Sequence, residues 1–292
     1  MSGKFLAGLL CIMLSGCATT NMTGGPDLYI PLKDSVRTQI GSTSVYLGQN
    51  PANDNNVVTT TMASPQQAGA GQAGVIGALI GSLIGSMIVS ENENERQQKQ
   101  HASMAIRQAL IKYNFASKFR AELQQQITKQ PWLHAEDVQK EPRFLSGDYS
   151  RLAAQVNTDT ILIFDTYYRM SPDLKTFSVV ANVVLYPVNK QLKSYVVDKS
   201  SDKPALFHNR YTIEFTEPNE KHITGSWTQE DRLRKVLDTG IPALIRTAIA
   251  DLNHHTLSAD GNGNGIQSLK GIEKITRQKT GEFKLVGNLA SL

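Results

Sequence analysis

The sequence predicts an α+β protein, with a small, mostly antiparallel sheet packed with helices, plus a separate apolar helix of the glycine-zipper type. Three observations lead to this prediction. Apolar residues recur at spacings of three and four over 95–129 and 233–252, which is typical of amphipathic helices. Apolar and alternating runs over 160–216 predict a meander of strands with one wet face. Residues 68–89 carry no charge and place small residues at every fourth position.

The chain begins with the pattern of a secretory signal. Lys4 precedes an apolar run over 5–14, and small residues come before Cys17. Only Cys17 would remain after cleavage, because Cys11 lies inside the signal, so no internal disulfide is possible. The sequence therefore predicts a signal peptide over 1–16 and a core stabilised by packing alone.

Leu14-Ser15-Gly16-Cys17 resembles the lipobox of bacterial lipoproteins. The resemblance implies cleavage before Cys17 and its acylation with palmitate-type chains, and two or more such chains hold a protein stably on a membrane. Ala18 follows the cysteine. By resemblance to the enteric sorting pattern, this implies the outer membrane, with the domain in the periplasm or at the cell surface. The alternative is an ordinary cleaved signal with a chance cysteine.

Residues 17–67 are predicted to form an acylated tether, one short strand at 44–47 and a polar loop. The glycine ladder at 68–89 follows. Residues four apart stack on one helix face, so two columns of small residues give a flat stripe beside a large apolar face. Such stripes let helix backbones approach closely in lipid. The members of the stripe are Ala73, Gly77, Gly81 and Gly85 in one column, and Gly74, Ala78, Ser82 and Ser86 in the other.

The ladder therefore predicts a helix that inserts into a membrane or drives oligomerisation. Two alternatives stay open, a hairpin buried inside the soluble fold and a glycine-rich linker. The firmly apolar part, 73–89, would span about 25 Å as a helix, which is short for a lone membrane span and adequate within an oligomer.

An α+β periplasmic domain is predicted for residues 91–256, and a Gly- and Asn-rich tail for 257–292. Asn114 is expected to divide the first helix, and Gly240 with Pro242 to kink or interrupt the last. The predicted elements are helices at 95–129, 150–156 and from after Thr228 to near His254, and strands at 160–164, 177–188, 194–197, 206–216 and, within the tail, 283–286.

One segment, together with the order of elements around it, has a familiar pattern: Leu152-Ala153-Ala154-Gln155-Val156-Asn157-Thr158-Asp159-Thr160-Ile161-Leu162-Ile163. This pattern resembles periplasmic lipoproteins of the curli-secretion-channel and penicillin-binding-protein-activator type. The match covers roughly 100–252. It implies a strand that opens a small sheet backed by helices, and it supplies no catalytic residue. The lipobox together with the glycine ladder also resembles surface-exclusion lipoproteins of conjugative plasmids.

No catalytic motif or cofactor fingerprint is present, and no pair of histidines has the spacing of a zinc site. Asp165 and Glu214 could form a carboxylate pair, although solvated strand-face positions explain them more simply. Residues 260–265 (DGNGNG) look like the start of a calcium loop, but Gly271 stands where the bidentate glutamate belongs. The sequence thus predicts no enzyme, no metal site and no cofactor.

The formal net charge is +4, and no dense basic patch is present, so nucleic acid is not an expected partner. We expect a non-catalytic outer-membrane lipoprotein that forms homo-oligomers through its glycine-zipper helix and serves as a structural or accessory component of an envelope assembly. The alternative is a monomeric lipid-anchored regulator that binds and activates a periplasmic partner protein.

Overall fold

A computed structural model gives the fold of residues 29–49, 112–141, 149–171, 174–196, 204–217, 230–254, 271–278 and 280–292, with the single residues 104, 106, 108, 109, 227 and 269. We refer to these as the described residues. The glycine ladder at 68–89 lies outside them, so the separate zipper helix stays a prediction. Among the described residues, no helix is long and apolar enough to cross a membrane.

The described residues build a seven-stranded sheet of mixed direction, in the order β2-β1-β3-β4-β5-β7-β6. β1 pairs parallel with β2 and β3, and β7 pairs parallel with β5; the β3-β4, β4-β5 and β6-β7 pairs are antiparallel. The strands are β1 (Thr43–Gln49), β2 (Val138–Glu141), β3 (Thr160–Met170), β4 (Thr176–Pro187), β5 (Phe207–Thr216), β6 (Ile272–Arg277) and β7 (Phe283–Gly287).

One short helix precedes β1 and the others lie between strands along the chain; the two long helices cover one face of the sheet. The helices are α1 (Asp34–Arg37), α2 (Phe115–Ile127), α3 (Tyr149–Ala153), α4 (Lys190–Lys193) and α5 (Glu230–Leu252), with short 3-10 turns at Pro131–Leu133 and Leu289–Ser291. Before α2, the described residues from Met104 to Tyr113 are also helical.

The main core lies between the sheet and the pair α2 and α5. Phe164 of β3 and Phe119 of α2 are both fully buried, with ring centroids 6.4 Å apart. Leu237 and Leu244 of α5 are also fully buried in this core. Burial of each such side chain contributes about 1.5–3 kcal/mol. This layer explains why α2 and α5 carry apolar stripes at helical spacing.

Helix α5 runs in the opposite direction to strand β5. At its middle, a Cβ atom on Gly240 would lie 3.1 Å from the ring of Phe215, close to the end of β5. Near its end, Asp251 Oδ2 accepts a hydrogen bond from Asn209 Nδ2, close to the start of β5. The molecule therefore has a carboxyl end, where β1, β3 and β5 finish, and an amino end, where they begin.

The opposite face of the sheet carries a smaller apolar cluster near the amino end. Short helix α3 contributes Tyr149 and Leu152, which pack on Ile161, Ile163 and Tyr186. The rings of Tyr149 and Tyr186 meet edge to face at 6.0 Å. Among the described residues, helices thus lie on both faces of the sheet, and the two long ones lie on the same face.

The α+β class is confirmed, but the prediction of a small, mostly antiparallel sheet is wrong. The sheet has seven strands, and half of its pairings are parallel. The parallel pairs arise because α2 lies between β1 and β2, and α5 lies between β5 and β7, in the crossover arrangement that parallel strands require. The predicted tail at 257–292 supplies β6 and β7 to this sheet.

Two local predictions are corrected and one is confirmed. The strand expected at 194–197 is not formed by its described residues 194–196, because they make the turn that ends α4, with the N–H of Tyr195 donating to the carbonyl of Leu192 at 3.1 Å. α5 continues through Gly240 and Pro242 without interruption. Asn114, in the left-handed conformation at φ 54°, does divide the first helical stretch.

Candidate functional site

Most residues that the sequence singled out for function lie outside the described residues. These are Cys17, the ladder positions Ala73, Gly74, Gly77, Ala78, Gly81, Ser82 and Gly85, and the calcium-like residues 260–265. The lipidation, oligomerisation and calcium hypotheses therefore stay predictions. Within the described ranges, no group of three His, Cys, Asp or Glu side chains could hold a metal ion.

Asp165 and Glu214 do not form a carboxylate pair. Asp165 lies opposite Asn182 in the β3-β4 register, whereas Glu214 lies opposite Ser178 in the β4-β5 register. The two acids thus occupy different rows with strand β4 between them. Glu214 forms an ion pair with Lys284 at 2.8 Å. Asp165 is only 1% exposed, so the expectation of a solvated strand-face residue is wrong for this position.

The structure instead gathers a buried polar cluster around Asp251, at the amino end of the sheet. Asp251 Oδ2 accepts a 2.6 Å hydrogen bond from the hydroxyl of Tyr211 and a 2.7 Å hydrogen bond from Asn209 Nδ2. On its other side, Asp251 Oδ1 lies 3.8 Å from Arg277 Nη2. The cluster therefore joins the end of α5 to strands β5 and β6.

The ionisation of the tyrosines follows from this burial. Burial raises the pKa of Tyr211 well above its ordinary value, and the negative charge of Asp251 and its hydrogen bond act in the same direction. Burial also raises the pKa of Tyr29, with Asp251 adding to the effect and Arg277 opposing it. Both phenols therefore stay neutral donors at physiological pH.

Tyr29, the first described residue, is packed onto this cluster. The guanidinium carbon of Arg277 lies 4.1 Å from the centroid of the Tyr29 ring, within the range of a cation–π contact. Gly281, at φ 92°, lies so close that a Cβ atom there would overlap Tyr29. Ile30 then forms a bridge with His208 through hydrogen bonds of 2.9 and 3.0 Å. The start of the described chain is thus fixed to the sheet.

Sequence reasoning missed this cluster, although one signal for it was present. Asn209 falls on the same face of strand β5 as Phe207, Tyr211, Ile213 and Phe215, which is otherwise apolar. A buried amide requires hydrogen-bond partners, so Asn209 indicates a polar group facing the strand from the helix layer. The sequence does not show which helix residue that is.

A small cleft of about 180 Å³ lies at the carboxyl end, between the helical residues before α2 and the first turns of α5. Apolar side chains and three basic residues line it together. The Tyr113 hydroxyl donates a 2.8 Å hydrogen bond to Asp238 Oδ1, and Lys118 Nζ lies 6.0 Å from the Tyr113 ring centroid. The lining residues are Ala109, Lys112, Tyr113, Lys118, Leu233, Arg234 and Leu237.

An ion pair between a buried glutamate and a half-buried arginine lies near the same end of the sheet. Glu217, just after β5, lies 2.8 Å from Arg232 Nη2 of α5. The ring of Trp227 lies 6.0 Å from the Arg232 guanidinium carbon and 6.1 Å from the ring of Phe177. Trp227 is fully buried, so this group fixes the start of α5 against the end of β5.

Comparisons of the chain with protein-family models, with curated proteins and with solved structures give no match.

Proposed function

We propose that the protein is a non-catalytic, lipid-anchored component of the outer membrane, which self-associates through the glycine ladder and holds its α+β body beside an envelope protein partner. The single observation that carries this proposal is the fixed position of Tyr29 on the sheet. Contacts with Arg277 and the Ile30–His208 bridge hold the chain start in place. Under the proposal, residues 18–28 are the tether between an acylated Cys17 and this fixed point.

The length of this tether limits the distance between body and membrane. Residues 18–28 lie between Cys17 and Tyr29. A fully extended chain covers at most about 3.6 Å per residue, so the tether spans at most roughly 40 Å. An acyl anchor on Cys17 would therefore keep the body within one domain diameter of the bilayer surface, where partners in the same membrane can reach it.

The path of the chain connects the ladder to one end of the body. Strand β1 ends at Gln49 at the carboxyl end, and Phe115, at the start of α2, contacts Tyr168 near the end of β3 at the same end. The ladder lies between these two points in the sequence. The sheet is about 23 Å long from His208 to Phe215 at 3.3 Å per residue. Because the tether can be longer than this, Cys17 and the ladder can meet the same membrane.

Fractionation tests the membrane assignment. Cys17→Ala, placed behind a conventional signal peptide, removes the acyl anchor and leaves the ladder intact. Under the proposal, this variant stays in the membrane pellet after alkaline extraction. Release as a soluble monomer would contradict the proposal and support the monomeric regulator.

Substitution within the ladder tests self-association. A triple variant with Leu at Gly77, Gly81 and Gly85 should form no oligomers in detergent, because the flat stripe would be filled with side chains. The matched control is a triple variant with Leu at Ile76, Ile80 and Ile84, since that change nearly conserves side-chain volume on the other faces. Light scattering with size-exclusion chromatography measures the mass of each variant. Equal loss of oligomers in both variants would contradict a role for the small-residue stripe.

A further inference from the structure

We draw no further inference here: the strongest candidate, the outer edge of strand β6 at the end of the sheet, with which no other described strand pairs, carries no proposal because nothing in the structure shows what covers it.

Discussion

Tyr211 donates a hydrogen bond to Asp251 inside the core, at an O–O distance of 2.6 Å. The same helix makes a second tyrosine–aspartate bond near the surface, where Tyr113 donates to Asp238 at 2.8 Å. The two pairs have the same chemistry and differ in burial, since Tyr211 is fully buried and Asp238 is exposed. They therefore allow the contribution of burial to be measured within one molecule.

We predict that Tyr211→Phe lowers the free energy of unfolding by about 1.5–3 kcal/mol, because Asp251 would lose a donor in a dry site. Tyr113→Phe should cost less than about 1 kcal/mol, since water can replace the donor at Asp238. Chemical denaturation followed by circular dichroism measures both values. Equal costs for the two variants would show that burial of the Asp251 cluster does not strengthen its hydrogen bonds.

The raised pKa of Tyr211 predicts a loss of stability in alkali. The unfolded chain releases the Tyr211 proton near the ordinary tyrosine pKa of about 10, whereas the folded protein keeps that proton to higher pH. Above this value the unfolded state binds fewer protons than the folded state, so stability falls as pH rises. Below about pH 9 the contribution of Tyr211 is fully present.

Comparison with Tyr211→Phe isolates this effect from the other tyrosines whose pKa values are raised. The stability difference between the unmodified protein and Tyr211→Phe should be constant from pH 7 to 9. It should then shrink by up to about 1.4 kcal/mol per pH unit above pH 10. Denaturation curves at pH 8, 9.5 and 11 measure it. A difference that stays constant across this range would mean that Tyr211 ionises equally in both states.

Gly281 and Tyr29 form a steric pair that can be tested by a double-mutant cycle. Gly281→Ala should cost roughly 2–4 kcal/mol, because φ 92° disfavours a side chain and the new methyl group overlaps Tyr29. In a Tyr29→Gly background, the same substitution should cost only about 1 kcal/mol, the cost of the backbone conformation alone. The free energies of unfolding of the four proteins give the coupling. Additive costs would contradict the packing of Tyr29 on Gly281 in solution.

Much of the architecture could be predicted because the local signals and the tertiary structure agree. β3, β4 and β5 are long, rich in β-branched and aromatic residues and flanked by turn residues, so their pattern alone identifies them. The stripe of α5 is visible for the same reason, since its apolar residues recur at helical spacing over 23 positions.

Other parts depend on contacts that local pattern does not encode. β2 has four residues with two exposed in its middle, and β6 has an irregular burial pattern, so neither alternates like a strand. Both are strands because they pair with a neighbour at the edge of the sheet. Asp251 bonds to Tyr211 and Asn209, which are 40 and 42 positions away, and the direction of α5 over β5 brings them together.

Pro242 shows how tertiary packing overrides a local rule, and it provides the last prediction. α5 continues through Pro242 because the residues around it, Ile241, Ala243 and Leu244, are all buried against the sheet. A proline within a helix costs about 3 kcal/mol, part of which is offset by its smaller entropy in the unfolded chain. Pro242→Ala should therefore raise the free energy of unfolding by about 1–2 kcal/mol.

Gly240→Ala is the matched comparison two residues away. It gains about 1 kcal/mol of helix propensity, but its methyl group would lie 3.1 Å from the ring of buried Phe215. Because Phe215 is fully buried and cannot easily move, we expect this variant to be neutral or destabilised. Thermal and chemical denaturation measure the stability of Gly240→Ala and Pro242→Ala relative to the unmodified protein. Stabilisation by Gly240→Ala as large as that by Pro242→Ala would mean that α5 packs less tightly on β5 than the structure shows.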